Sequence, residues 1–146
     1  MKKLLLGMAL LVAATLTSHA RIGETRAEIS ARYGAGEQMR DRLPETTQFE
    51  YHKNGFTMQI VFQNDRSIWE FFKREDTDIT DADMEGLRAI LAPGRWTRDE
   101  SEECWISQDG RLKARRAPGH PDFFSTQDIQ AVKAIEDRHK ADLSGL

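Results

Sequence analysis

Cysteine is nearly absent from this chain. Cys104 is the only one in 146 residues, so no intramolecular disulfide framework can hold the fold. Proline is scarce too, with four in all, and no Pro- or Gly-rich tract marks a long linker. No basic stripe is present: 21 Lys and Arg are interspersed with 24 acids for a net charge of −3, which argues against a nucleic-acid partner. Beyond residue 20 no apolar run approaches the ~20 residues of a membrane-spanning helix. No G-x-S-x-G, P-loop or G-x-G-x-x-G segment occurs, and no two histidines stand four residues apart. The sequence therefore names no reaction.

What it does carry is an address. Met1-Lys2-Lys3 is a short positive start, Leu4 to Leu16 is an apolar run of signal-peptide length, and Thr17-Ser18-His19-Ala20 supplies the small residues of a cleavage site. Residues 1–20 read as a signal peptide and residues 21–146 as one domain, which places the mature protein in the periplasm or outside the cell. Cleavage after Ala20 removes Lys2 and Lys3 and no acid, taking the net charge from −3 to −5. A lipid-anchored form needs a cysteine at that junction, and Arg21 stands there instead.

The mature chain opens with a capping box, Thr25 with Glu28, then Ile29 and Tyr33 on one face and Gly34 as a stop, which together predict a short helix. Gly34 to Pro44 reads as a loop. Thr47, Phe49 and Tyr51 alternate with polar residues, as do Phe56, Met58, Ile60 and Phe62. Asn54-Gly55 between them is the preferred chemistry of a tight hairpin. Ser67 to Lys73 predicts a third strand of a meander. Thr80 and Asp83 cap a second helix with Met84, Leu87, Ile90 and Leu91 along its apolar stripe. Trp96 is expected to pack back onto the sheet. Cys104 to Ser107 and Arg111 to Arg115 read as a second hairpin around Asp109-Gly110. Pro118 to Pro121 reads as a break, and Ser125 with Asp128 as the cap of a C-terminal helix carrying Ile129, Val132 and Ile135. No repeat of fixed period is visible.

The candidates for chemistry have bland readings beside them. The acidic run Glu75-Asp76-Thr77-Asp78 with Asp81 and Asp83 lacks calcium-loop spacing and fits the start of a helix, where the dipole favours acids. His52, His120 and His139 show no metal-ligand spacing. Arg111, Lys113, Arg115 and Arg116 alternate with Leu112 and Ala114, as on the polar face of an edge strand. Cys104 beside Trp105 and Ile106 is expected to be a buried small hydrophobe. The third strand of the meander breaks simple alternation. Trp69 and Phe71 are expected on one face, and Ile68, Glu70 and Phe72 on the other. Either the segment around Phe123, Phe124 and Ile129 covers this second face, or Ile68, Glu70 and Phe72 form an interaction patch.

Ile22-Gly23-Glu24-Thr25-Arg26-Ala27-Glu28-Ile29 through Tyr33-Gly34 resembles the G-x-T-x-x-E-Φ…G opening of the SmpA/OmlA family, small envelope proteins that accompany outer-membrane protein assembly. The resemblance implies a helix-plus-antiparallel-sheet fold, and the hairpin that follows stands in the right place for one. The family's lipid-bearing cysteine is absent here, and Ala35-Gly36 stands where a proline commonly follows the glycine. The opening is also similar to that of other exported bacterial proteins, for which it implies no activity.

The expected fold is α+β: a small antiparallel sheet, a meander plus a second hairpin, with short helices packed mainly on one face. The expected function is that of an exported, non-catalytic envelope protein that binds another protein, a surface or a second copy. No catalytic, cofactor-binding or metal-binding residues are assigned. The alternative is a small periplasmic hydrolase or a thiol- or metal-dependent enzyme assembled from scattered residues.

Overall fold

The computed structural model describes residues 21–92, 94–117 and 119–144; the segment read as a signal peptide lies outside them. Local chemistry starts the elements where the sequence marks them. In helix α1 (Arg26–Tyr33) the Thr25 hydroxyl accepts from the Glu28 amide and the Glu28 carboxylate accepts from the Thr25 amide. Helix α2 (Asp81–Leu91) repeats the device with Thr80 and Asp83. Arg74 reinforces it with a two-pronged contact on Asp83, at 2.9 and 2.5 Å.

Between the two helices lie β1 (Glu37–Met39), β2 (Thr47–Lys53), β3 (Phe56–Gln63) and β4 (Arg66–Arg74). After α2 come β5 (Trp96–Asp99), β6 (Cys104–Ser107), β7 (Leu112–Ala117) and β8 (His120–Asp128), then helix α3 (Ile129–Ser144). All eight strands form one antiparallel sheet in the order β1-β2-β3-β4-β8-β7-β6-β5. The sheet is thus larger than the small meander with a second hairpin that the sequence suggested. Three strands were not anticipated: β1 lies in the expected loop, β5 in a connection, and β8 where a break and a cap were expected. Ser125 does not cap α3, because it is held in the ladders of β4 and β7. Asp128 alone does so, accepting from the Ala131 amide at 3.0 Å.

Two halves of the same make, one helix followed by a four-stranded meander, meet along the β4–β8 pair. Their punctuation is spaced alike. Thr25 and Thr80 cap the helices, and Gly55 and Gly110, at φ 75° and 71°, turn the second strand of each half into the third. The fixed spacing that sequence inspection did not reveal is in these turns and caps, and Ile29 and Met84, which fill the same core from α1 and α2, keep it too.

The core has two parts. Ile29 of α1 and Met84, Leu87 and Leu91 of α2 join Phe49, Met58, Ile60, Phe62, Phe72 and Phe124 on the first face of the sheet. Val132 and Ile135 of α3 join Val61, Ile68, Phe71 and Ala117 on the second, with Trp69 and Phe123 partly buried against them. The helices therefore divide between both faces and are not packed mainly on one. The apolar residues that face both ways along β3 and β4 require this, since each face must be covered to leave water.

Candidate functional site

The expected patch does not form. Ile68, Glu70 and Phe72 are buried, and they do not share a face. Val61 pairs with Trp69 while Phe62 pairs with Ser67, which leaves Ile68 as an extra residue in a β-bulge. The bulge turns Ile68 to the second face beside Phe71, while Phe72 stays on the first. Glu70 also lies on the first face, wholly buried, with neither carboxylate oxygen hydrogen-bonded. Burial, and next the nearby Glu24 charge, push its pKa up to about 8. The Ser67 hydroxyl opposes this, but its proton is donated to the Arg21 carbonyl at 3.0 Å.

Glu70 stands in the middle of a row of cross-strand neighbours. Read across the sheet, that row is Phe49, Ile60, Glu70, Thr126, Ala114, Trp105, Arg98. Thr126 is as buried as Glu70, and its hydroxyl is likewise unpartnered. Toward β5 the row leaves the core and opens into a cleft of about 870 Å³ beneath α2. Its wall is built from both halves of the local sequence pattern. The apolar stripe of α2 seats the helix, and Arg88, one turn beyond Met84, hangs over the rim strands. Trp96 fixes the end of the helix, its indole N–H donating to the carbonyls of Arg88 and Ala92 at 3.1 and 3.2 Å.

Trp105 is the centre of the cleft. The guanidinium of Arg88 lies 3.9 Å from its ring centroid and that of Arg98 lies 4.3 Å away. Arg88 has a buried Nη1 without a hydrogen-bond partner. Burial lowers its pKa most; Glu85 opposes this and the like charge of Arg98 adds to it. The nearest acid to Arg98 is the exposed Glu100 at 3.5 Å. On the same wall Arg116 bonds the Ile79 carbonyl and Asp81, and Glu102 pairs with Lys113, while Glu85, Glu103 and Arg115 also line it. The lining is mostly charged, with Trp105, Met84, Ala82 and Ala117 as its apolar part.

The basic cluster takes a different place from the one its alternation suggested. β7 is an inner strand between β6 and β8, not an edge, and Arg111, Lys113 and Arg116 pair with Asp128, Glu102 and Asp81. Cys104 is fully buried, and desolvation raises its thiol pKa. His52 is exposed between Glu75 at 3.0 Å and Glu50 at 3.2 Å, which hold its pKa above the ordinary value. His120 packs edge-on against Phe123, and His139 is exposed on α3. Among the described residues no group of three His, Cys, Asp or Glu side chains converges as a metal site requires, and no helix is long and apolar enough to cross a membrane.

Arg88, Arg98 and Trp105 were not singled out as a site in the sequence. Trp105 drew attention only as a neighbour of Cys104, and nothing local says that Arg98 sits opposite it. That pairing depends on β5, the short exposed edge strand whose Thr97 and Arg98 carry no apolar alternation.

No family model matches the chain, and no curated protein does. Among solved structures it is similar to a cysteine-rich secretory protein from Staphylococcus aureus, with a TM-score of 0.45 and 8% identity. That match covers 79% of this chain and 47% of the other, so the chain spans about half of its length.

Proposed function

We propose that the chain is an exported, non-catalytic binding module of the cell envelope and that it binds through the cleft beneath α2. The observation that carries the reading is the pair of guanidiniums gathered on Trp105 in an open concavity, one with a buried nitrogen left without a partner. Polar groups held this way contribute their full worth when a ligand completes them. The envelope part rests on the signal-peptide pattern of residues 1–20 and on the SmpA/OmlA-like opening from Ile22 to Gly34. No assembly role is taken from that likeness. A thiol enzyme is the weaker reading, since burial denies Cys104 both access and an easily formed thiolate.

Two measurements test this. N-terminal sequencing of envelope material should read Arg-Ile-Gly, and an intact Met1 in cytoplasmic protein overturns export. A benzophenone side chain placed at Ala82, on the cleft wall, should crosslink an envelope component in the parent chain and fail to do so in Arg98→Glu. Identical crosslinks in both chains overturn the cleft as the binding site.

A further inference from the structure

We propose that the cleft takes a small zwitterion, an amino acid or short peptide with a free carboxylate, which Arg88 and Arg98 hold while its ammonium faces Glu85 and Glu103. This rests on the cleft being the binding site and names the class of its ligand. Two like charges gathered on one indole repel each other, and the acids near them, Glu100 at 3.5 Å from Arg98 and Glu85 beside Arg88, are exposed and offset this only in part. Stacking on the ring holds each guanidinium in place, and an anion that bonds the unpartnered Nη1 of Arg88 and reaches Arg98 adds two attractions to offset the repulsion. Guanidinium edges match a planar carboxylate through paired hydrogen bonds.

The acids on the same wall decide what kind of anion. Asp81 and Glu102 are in ion pairs, whereas Glu85, whose charge reaches Arg88 only at longer range, and Glu103 line the cleft exposed and outside the ion pairs found among the described residues. They would repel a dianion such as phosphate, and they offer an ammonium group its counter-charge. A singly charged carboxylate on a molecule that also carries an amine satisfies both ends. The volume, about 870 Å³, admits a short peptide and not only a single ion.

The test follows the indole N–H resonance of Trp105 in the ¹⁵N-labelled mature chain, assigned by its loss in Trp105→Phe. Trialanine should shift it saturably. The C-terminal amide of trialanine should bind at least about tenfold more weakly, the scale of one lost charge-assisted hydrogen bond, and N-acetyl-trialanine should also weaken. Arg98→Gln, an exposed change on an edge strand that leaves the core intact, should weaken trialanine to the level of the amide. An amide that binds as tightly as the acid overturns the proposal, as does inorganic phosphate that competes as well as trialanine. In either case the shift of Trp105 still supports a binding cleft. No shift with any of these at millimolar concentration overturns the ligand class, while the cleft itself stands or falls on the Ala82 crosslinks.

Discussion

Glu70 is the residue at which the fold departs furthest from ordinary practice. An ionised carboxylate in its position, between Ile60 and Thr126 of the neighbouring strands, would have no donor, so the group stays protonated near neutrality. Its folded pKa of about 8 lies above the unfolded value of 4.5. Between those values the folded state keeps a proton that the unfolded state has lost. Stability from this group is therefore full below about pH 4.5, falls as pH rises toward 8 and levels off beyond, by at most ~1.4 kcal/mol per pH unit. His52 adds a fall in the same direction above its ordinary pKa, but from an exposed site. Asp83, held far below the usual carboxylate range by Arg74, acts only at more acid pH. Glu70→Gln should flatten the slope between pH 5 and 8 in urea-unfolding series, and an unchanged slope would refute the assignment. At the same scale, Cys104 should resist thiol labelling until denaturant is added.

Among the elements, the bulge in β4 makes two neighbouring apolar residues serve different layers. Ile68→Ser and Phe72→Ser should each destabilise the fold by roughly 2–4 kcal/mol in chemical unfolding, one by loosening α3 and the other by opening the first-face core. A melt left unchanged by either substitution would contradict the burial seen here. Gly36 is a tighter test of local fit: a Cβ there would stand 2.6 and 2.7 Å from two ring atoms of Tyr51, whose side chain is buried and cannot move aside. Gly36→Ala should cost about 1–3 kcal/mol, read as a lower unfolding midpoint. α1, the β2–β3 hairpin, β4, α2, the β6–β7 hairpin and α3 were legible in the sequence, the sharpest of them through local signals: two capping boxes and an Asn-Gly turn. β1, β5 and β8 were not, because nothing within three or four residues of Glu37, Thr97 or Ser125 demands an extended chain. Ser125 and Thr126 are buried only because β4 and β7 flank them. The site was illegible for the same reason, as Arg88, Arg98 and Trp105 belong to three elements that sheet order alone brings together.

Taken as a whole molecule, the two helix-and-meander halves share one strand junction, and the strand that closes it is the last one in the chain. Until β8 is available, β4 presents an open row of backbone donors and acceptors, and Phe71 and Phe72 lack their neighbours across it. A chain threaded across a membrane from its N-terminus would thus emerge with four strands able to pair among themselves and unable to finish. In such a passage the interior would become whole only after His120 to Asp128 had cleared the pore. Late closure would keep such a chain loose during passage, and wherever the chain folds it opens a window in which the bare edge can join another chain.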